Sequence, residues 1–247
     1  MRYFIELAYF GKAFHGWQIQ PNAPSVQEAV EKALSTVLQK EIEIVGAGRT
    51  DAGVHAKQLY AHFDLEQEFD EEHLVFRCNS LLSRDIALKR IFKVKPDAHA
   101  RFDATSRSYE YHIHHLKDPF QYEYSYYLKR EPDLKKMNKA AGFLKNYTNF
   151  KCFSKSKTDV MTYNCKIEEA VWKKENGKLV FYITADRFLR NMVRAIVGTL
   201  LEIGLGKIEV EEMHEVIKSQ DRGKAGTSVP AHGLYLTKIE YPNIEVN

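Results

Sequence analysis

Residues 42–65, Ile42-Glu43-Ile44-Val45-Gly46-Ala47-Gly48-Arg49-Thr50-Asp51-Ala52-Gly53-Val54-His55-Ala56-Lys57-Gln58-Leu59-Tyr60-Ala61-His62-Phe63-Asp64-Leu65, read as strand, loop, strand. Ile42 to Val45 predicts a short strand. Gln58 to Leu65 predicts a longer one, because Leu59, Ala61, Phe63 and Leu65 alternate onto one face. Between them lies a loop with glycines at 46, 48 and 53, residues that permit positive φ and close approach by another chain. Arg49 and Asp51 stand two apart in it, and His55 follows in the next turn. A nearby cation favours the ionised form of a carboxylate, which suits a nucleophile or base more than a general acid. The same spacing also describes an ordinary ion-paired turn, and spacing alone does not choose between them.

Outward from this loop, the first half continues in the same mixed style. Residues 2–10 alternate as a strand, and a Gly-containing loop runs from Gly11 to Pro24. Ser25 is placed as an N-cap with Glu28 completing a capping box. Val26, Ala29, Val30, Ala33, Leu34, Val37 and Leu38 then recur at helical spacing, which predicts a helix over 26–39. A helix at about 71–82 and a strand at 86–94 follow. The second half opens on a strand, Arg107 to His114, and continues with a helix at about 133–145. Strands near 164–174 and 178–186 flank Asn176-Gly177, a hairpin signal. A helix over 188–203, a shorter one near 209–219 and a final strand at 234–241 complete the chain. Strands plus two helices in each half make the fold class α+β, with halves at 1–104 and 105–247. No residue-level repeat relates them.

Composition narrows the class. Hydrophobic residues make up 44% and charged residues 28%, an ordinary globular balance. A formal net charge of +3 admits an RNA partner without demanding one, because a basic face can hide in a near-neutral total. Three cysteines, Cys78, Cys152 and Cys165, are too few and scattered for a disulfide framework and read as reduced thiols. No stretch approaches the roughly 20 apolar residues that span a bilayer, and the N-terminus reads as a strand rather than a signal peptide; a cytoplasmic location is expected.

Other candidate chemistries fare less well. Gly46-Ala47-Gly48 lacks the Gly-Lys-Ser/Thr of a P-loop, and no GxGxxG is completed. Ser154 to Lys157 has an SxxK spacing but sits in a polar loop without the SDN or KTG partners of penicillin-recognising enzymes, so it reads as a solvated basic loop. His112, His114 and His115 invite a metal, yet no third and fourth ligand cluster with them. The basic residues Arg101, Arg107, Lys117, Lys129, Arg130, Lys151, Lys155, Lys157, Arg187, Arg190 and Arg194 interleave with Tyr109, Tyr111, Tyr122, Tyr124, Phe150 and Phe153. Cations for phosphates and flat rings for bases are what loop RNA requires. Arg190 and Arg194 lie one turn apart on the expected helix, and Arg187 and Arg190 mark its N-terminal end, where anions are favoured; a solvated helix face explains this about as well as a substrate contact does.

Five further segments, taken together with the Asp51 loop, resemble the tRNA pseudouridine synthase A family. Ala8-Tyr9-Phe10-Gly11 through Phe14-His15-Gly16-Trp17-Gln18-Ile19-Gln20 is similar to its N-terminal signature, and Ser25-Val26-Gln27 to the start of its first helix. Gly48 to Ala56 is similar to its catalytic motif. Arg101 to Tyr111, Phe188 to Gly198 and Ala225 to Leu234 resemble three further motifs in the family's order. Phe10, Ser83 and Ser108 depart from the pattern, where the family usually has Asp, Pro and Arg. The resemblance implies a pseudouridine synthase fold, two α+β halves with mainly antiparallel sheets and flanking helices around a basic cleft. It implies isomerisation of uridine in the tRNA anticodon arm at positions 38 to 40, without metal or organic cofactor, by a homodimer. By the same carry-over Asp51 is the nucleophile. Tyr109 stacks on or hydrogen-bonds a flipped uracil, Arg194 pairs with Asp51, and Arg49 helps hold the nucleotide. A binding-only descendant and a synthase with shifted targets are the competing readings.

Overall fold

The computed structural model describes residues 1–156, 160–242 and 244; Lys157, which completes the SxxK spacing and belongs to the basic series, lies outside them. The chain forms two compact units. One runs from Met1 to Thr105 and takes in the C-terminal segment from Leu236, and the other is Ser106–Tyr235. The halves read from the sequence are 1–104 and 105–247. The closing segment packs with the first unit: the Tyr241 hydroxyl donates to the Ala100 carbonyl at 2.6 Å, and its ring meets Phe4 edge-on at 5.7 Å.

The first unit contains β1 (Arg2–Tyr9), α1 (Val26–Leu38), β2 (Val45–Gly46), β3 (His55–Asp64), α2 (Glu71–Leu81) and β4 (Ile86–Val94). β1 is central, antiparallel to β3 on one side and to β4 on the other, and β2 adds a short antiparallel pairing to β3. Helix α1 starts as its sequence predicts. The Ser25 side chain accepts from the Glu28 amide, and Val26, Val30, Ala33 and Leu34 form its buried stripe. Asp70 caps α2 in the same way, accepting from the His73 amide at 2.9 Å. The core between helices and sheet includes Ile5, Leu7, Leu34, Leu59, Leu74 and Cys78, all almost fully buried.

One expected strand forms only at its end. Ile42 and Ile44 are buried, but their amides go to side chains of α1: Ile42 donates to Ser35 Oγ and Ile44 to Glu31 Oε1, both at 2.9 Å. Helix hydroxyl and carboxylate thus take the donors that a sheet ladder would have used. Only Val45 and Gly46 pair with β3.

The second unit contains β5 (Ser106–His114), β6 (Tyr126–Tyr127), α3 (Leu134–Phe143), β7 (Ile167–Glu175), β8 (Lys178–Ala185), α4 (Met192–Gly204) and α5 (Glu212–Ser219). β8 lies between β5 and β7 and is antiparallel to both. β6 is the exception, a two-residue parallel pairing with the end of β5. The β7–β8 hairpin turns on Asn176 (φ 49°) and Gly177 (φ 76°), the double positive φ that suits the strand twist. Helix α4 begins at Met192 rather than at the expected 188, because Asn191 adopts a left-handed conformation (φ 68°) that interrupts helical geometry. Arg190 consequently precedes α4 instead of sharing its face with Arg194. The final strand, β9 (Leu234–Glu240), begins in this unit and ends in the first, next to β3. Both units are α+β, with mainly antiparallel strands and flanking helices.

His62 on β3 is 4% exposed, and its Nδ1 accepts from the Ala100 amide at 3.2 Å. Burial, aided by the positive charges of Arg2 and His99, pushes its pKa down from 6.5 to about 4. The unfolded chain therefore binds the extra proton first on acidification. His62 costs nothing above its unfolded pKa and destabilises the fold progressively as pH falls from about 6.5 to about 4. Denaturant titrations across this window should show stability falling with acid, with a shallower slope in His62→Asn; an unchanged slope in that variant contradicts the assignment.

Candidate active site

The Asp51 loop, residues 47–54 between β2 and β3, is held by the segment that follows β1. The Gly53 amide donates to the Phe14 carbonyl at 3.3 Å, and the Trp17 amide to the Thr50 carbonyl at 3.4 Å. Tyr9 and Thr50 share a hydroxyl–hydroxyl hydrogen bond of 2.9 Å. The loop closes on itself where the Val54 amide donates to the Asp51 carbonyl at 3.2 Å. Behind it, the Gly11 amide donates to His55 Nδ1 at 2.9 Å, so that nitrogen carries no proton. The His55 ring stacks on Phe10 with centroids 4.2 Å apart and planes 9° from parallel. His55 is 1% exposed. It is a buried peg of the loop.

The approach between the two segments is closer than any side chain allows. A Cβ on Gly11 stands 2.0 Å from the Val54 carbonyl oxygen, and one on Gly16 stands 2.3 Å from that of Thr50. Gly16 also adopts φ +92°, a conformation disfavoured for residues with a Cβ. Gly46 lies against the Trp17 indole, where a Cβ meets Nε1 at 2.4 Å. Of the three loop glycines expected to exploit positive φ, only Gly53 does, at 78°. Asp51 itself is half-buried and Arg49 is exposed.

The other two expected site residues belong to the second unit. Tyr109 lies on β5, half-buried, with its ring edge-on to Phe188 at 5.1 Å and 86°. Arg194 lies in the first turn of α4, half-buried, and donates from Nε to the Val229 carbonyl at 2.7 Å. The Val229 amide returns a bond to the Arg194 carbonyl at 3.2 Å. The segment 225–230 is gripped as tightly as the Asp51 loop. A Cβ on Gly198 stands 1.9 Å from the Thr227 carbonyl oxygen, and the Gly226 amide donates to the buried Thr199 hydroxyl at 2.9 Å. Arg222 donates to the carbonyls of Ala225 and Gly226 and to Ser228 Oγ, and Asn191 reaches the same hydroxyl at 2.7 Å.

The sequence that carries these two segments has counterparts among known proteins. A family model described as tRNA pseudouridine synthase matches residues 7–103 and 147–242. The chain belongs to the tRNA pseudouridine synthase family. Among curated relatives, tRNA pseudouridine synthase A of Bacteroides fragilis is 54% identical over 243 residues, covering 98% of this chain and 96% of that protein. Its counterpart in Porphyromonas gingivalis is 52% identical over 246 residues and covers 98% of both chains. A more distant relative of the same name, from Thermoanaerobacter, is 38% identical over 244 residues, 96% of this chain and 98% of its own. Members of this family are isomerases, and the chain is an enzyme of that class.

The histidines of the second unit are engaged separately. His112 Nε2 pairs with Glu110 at 2.8 Å, His114 Nδ1 with Ser125 Oγ at 2.6 Å, and His115 Nδ1 with the Leu128 carbonyl at 2.8 Å. Among the described residues no group of three or more His, Cys, Asp or Glu side chains could hold a metal ion. Nor is any described helix long and apolar enough to cross a membrane. The three cysteines are free and buried, and burial pushes the thiols of Cys152 and Cys165 up to about 12.

The glycine contacts generate a paired prediction. Gly16→Ala forces apart two backbone segments and should lower stability by about 2–4 kcal/mol. Gly48→Ala, where a Cβ meets nothing within 4 Å, should change it by less than about 0.5 kcal/mol. Thermal unfolding of the two variants checks this, and equal effects contradict the grip on the loop.

Proposed function

We propose that this chain isomerises uridine to pseudouridine at positions 38, 39 and 40 of the tRNA anticodon arm, with Asp51 as the nucleophile. The observation that carries the reading is a half-buried aspartate on a loop gripped by backbone contacts, in a chain of the tRNA pseudouridine synthase family. The reaction breaks the bond between ribose C1′ and uracil N1 and makes one between C1′ and uracil C5. N1 gains a proton and C5 loses one, so nothing is consumed. No metal or organic cofactor enters this scheme.

The detached uracil must turn so that C5 replaces N1 opposite C1′, and a stacked, paired base has no room for that turn, so the target uridine is flipped out. Asp51 attacks either uracil C6 or ribose C1′, and its carboxylate is regenerated in both cases: an adduct at C6 is eliminated as C5 loses its proton, and one at C1′ is displaced as C5 bonds to C1′. A carboxylate whose loop is fixed at Thr50, Asp51, Gly53 and Val54 needs little reorganisation to reach the reacting atom. Tyr109 has a ring braced by Phe188 and offers a flat face and a hydroxyl to the extruded base, near the proton on C5. Arg194, held through its Nε by the Val229 carbonyl, keeps its two terminal nitrogens in a fixed plane and supplies positive charge for the Asp51 carboxylate. Arg49, exposed beside Asp51, binds the phosphate of the flipped nucleotide. The working form is a cytoplasmic homodimer.

Asp51→Ala should abolish pseudouridine formation on an anticodon-arm substrate, at least 10³-fold in single-turnover rate, while tRNA affinity stays within about threefold. Mass spectrometry of the modified RNA reads the outcome and the positions. Turnover by Asp51→Ala at the wild-type rate overturns the nucleophile. Pseudouridine formed only outside the anticodon arm overturns the target, and none formed by the wild-type chain favours a binding-only protein.

A further inference from the structure

The second unit contains a cavity of about 390 Å³ whose lining includes Lys151, Lys155, Ser156, Tyr163, Asp221 and Arg222. That volume lies within the range of small-molecule sites, roughly 300–1,000 Å³. None of these residues has a part in the reaction described above. Three cations against one carboxylate give the lining a formal +2. Its one acid is already engaged: Asp221 Oδ1 accepts from the Gly223 amide at 2.8 Å as the cap of a short helical turn.

The walls are fixed from behind. The Phe150 amide donates to the Tyr163 carbonyl at 3.1 Å, and the Lys155 amide to the Arg190 carbonyl at 3.0 Å. Arg222 is anchored by the 225–228 segment through both terminal nitrogens. Lys151 places its ammonium 5.7 Å from the centre of the Tyr163 ring, so a cation and a flat aromatic face lie side by side. Serine hydroxyls and lysine ammoniums suit phosphate oxygens, and an adjacent ring suits a base or a ribose.

We propose that this cavity seats one nucleotide of the tRNA other than the target uridine, its phosphate among Lys151, Lys155 and Ser156 and its base or sugar on Tyr163. The inference rests on the family's RNA substrate and adds a second anchoring point to it. The site contributes to affinity and to registration of the tRNA, not to the chemical step.

The test compares two double variants of equal charge. Lys151→Gln with Lys155→Gln alters the cavity, and Lys135→Gln with Lys136→Gln alters exposed lysines on α3 of the same unit. Binding of full-length tRNA is measured against salt concentration, beside single-turnover pseudouridine formation at saturating enzyme. The cavity variant should lose about tenfold in affinity, and its salt slope should fall by about one to two, while its saturating rate stays wild-type. The α3 variant should lose less than about twofold. Tyr163→Leu should weaken binding with the salt slope unchanged, as loss of stacking requires. Equal losses in both double variants, or none in the cavity variant, overturn the proposal. So does binding of free uridine monophosphate at the cavity with tRNA affinity unaffected by the cavity variant. Wild-type turnover in the same assay reports on the synthase reading separately, so failure of one is distinguishable from failure of the other.

Discussion

Two stretches of backbone in the first unit approach each other more closely than side chains permit, and the position of Asp51 depends on it. Gly11 and Gly16 lie against the carbonyls of Val54 and Thr50, on either side of the aspartate. The hydrogen bonds that follow are mostly main-chain ones, supplemented by the Tyr9–Thr50 hydroxyl pair and the amide bond to His55. A main-chain clamp constrains a loop more tightly than long side chains can, because little rotamer entropy opposes it. The loop is therefore organised by the chain itself, as the nucleophilic role proposed for Asp51 requires.

The second unit solves the equivalent problem with the same device. Gly198 on α4 and Gly226 on the following segment let backbone meet backbone, and the Thr199 hydroxyl takes the Gly226 amide. Val229 then holds Arg194 through two hydrogen bonds, and Tyr111 reaches Pro230 from β5 with its hydroxyl at 2.8 Å. The short motifs read from the sequence are thus of two kinds. Asp51, Tyr109 and Arg194 are the candidates for chemistry; Gly11 and Gly16 place the loop of the first, and Gly198 and Gly226 place the segment that holds the last.

Much of the fold was legible because its signals are local. The Ser25 cap, the α1 stripe, the Asn176-Gly177 turn and the alternation of β5 each depend on a few neighbouring residues. Misses came where a distant or conformational partner intervened. Ile42 and Ile44 looked like strand but give their amides to α1 side chains. The left-handed Asn191 delayed α4 by four residues, and no hydrophobic period records a single φ angle. At the site, Asp51 and Arg49 stood out by type and spacing. The role of His55 as a buried peg, and of Gly11 as its donor, needed the third dimension. The glycines of the 11–16 segment were the one available hint.

In the proposed reaction, backbone placement of the Asp51 carboxylate, and not merely its charge, sets the rate. The single-turnover rate of Asp51→Glu on an anticodon-arm substrate tests this most directly, since the carboxylate is retained and displaced by one methylene. The expected rate is at least 10²-fold below wild type, with tRNA affinity and melting temperature unchanged. A rate within a few fold of wild type would contradict it.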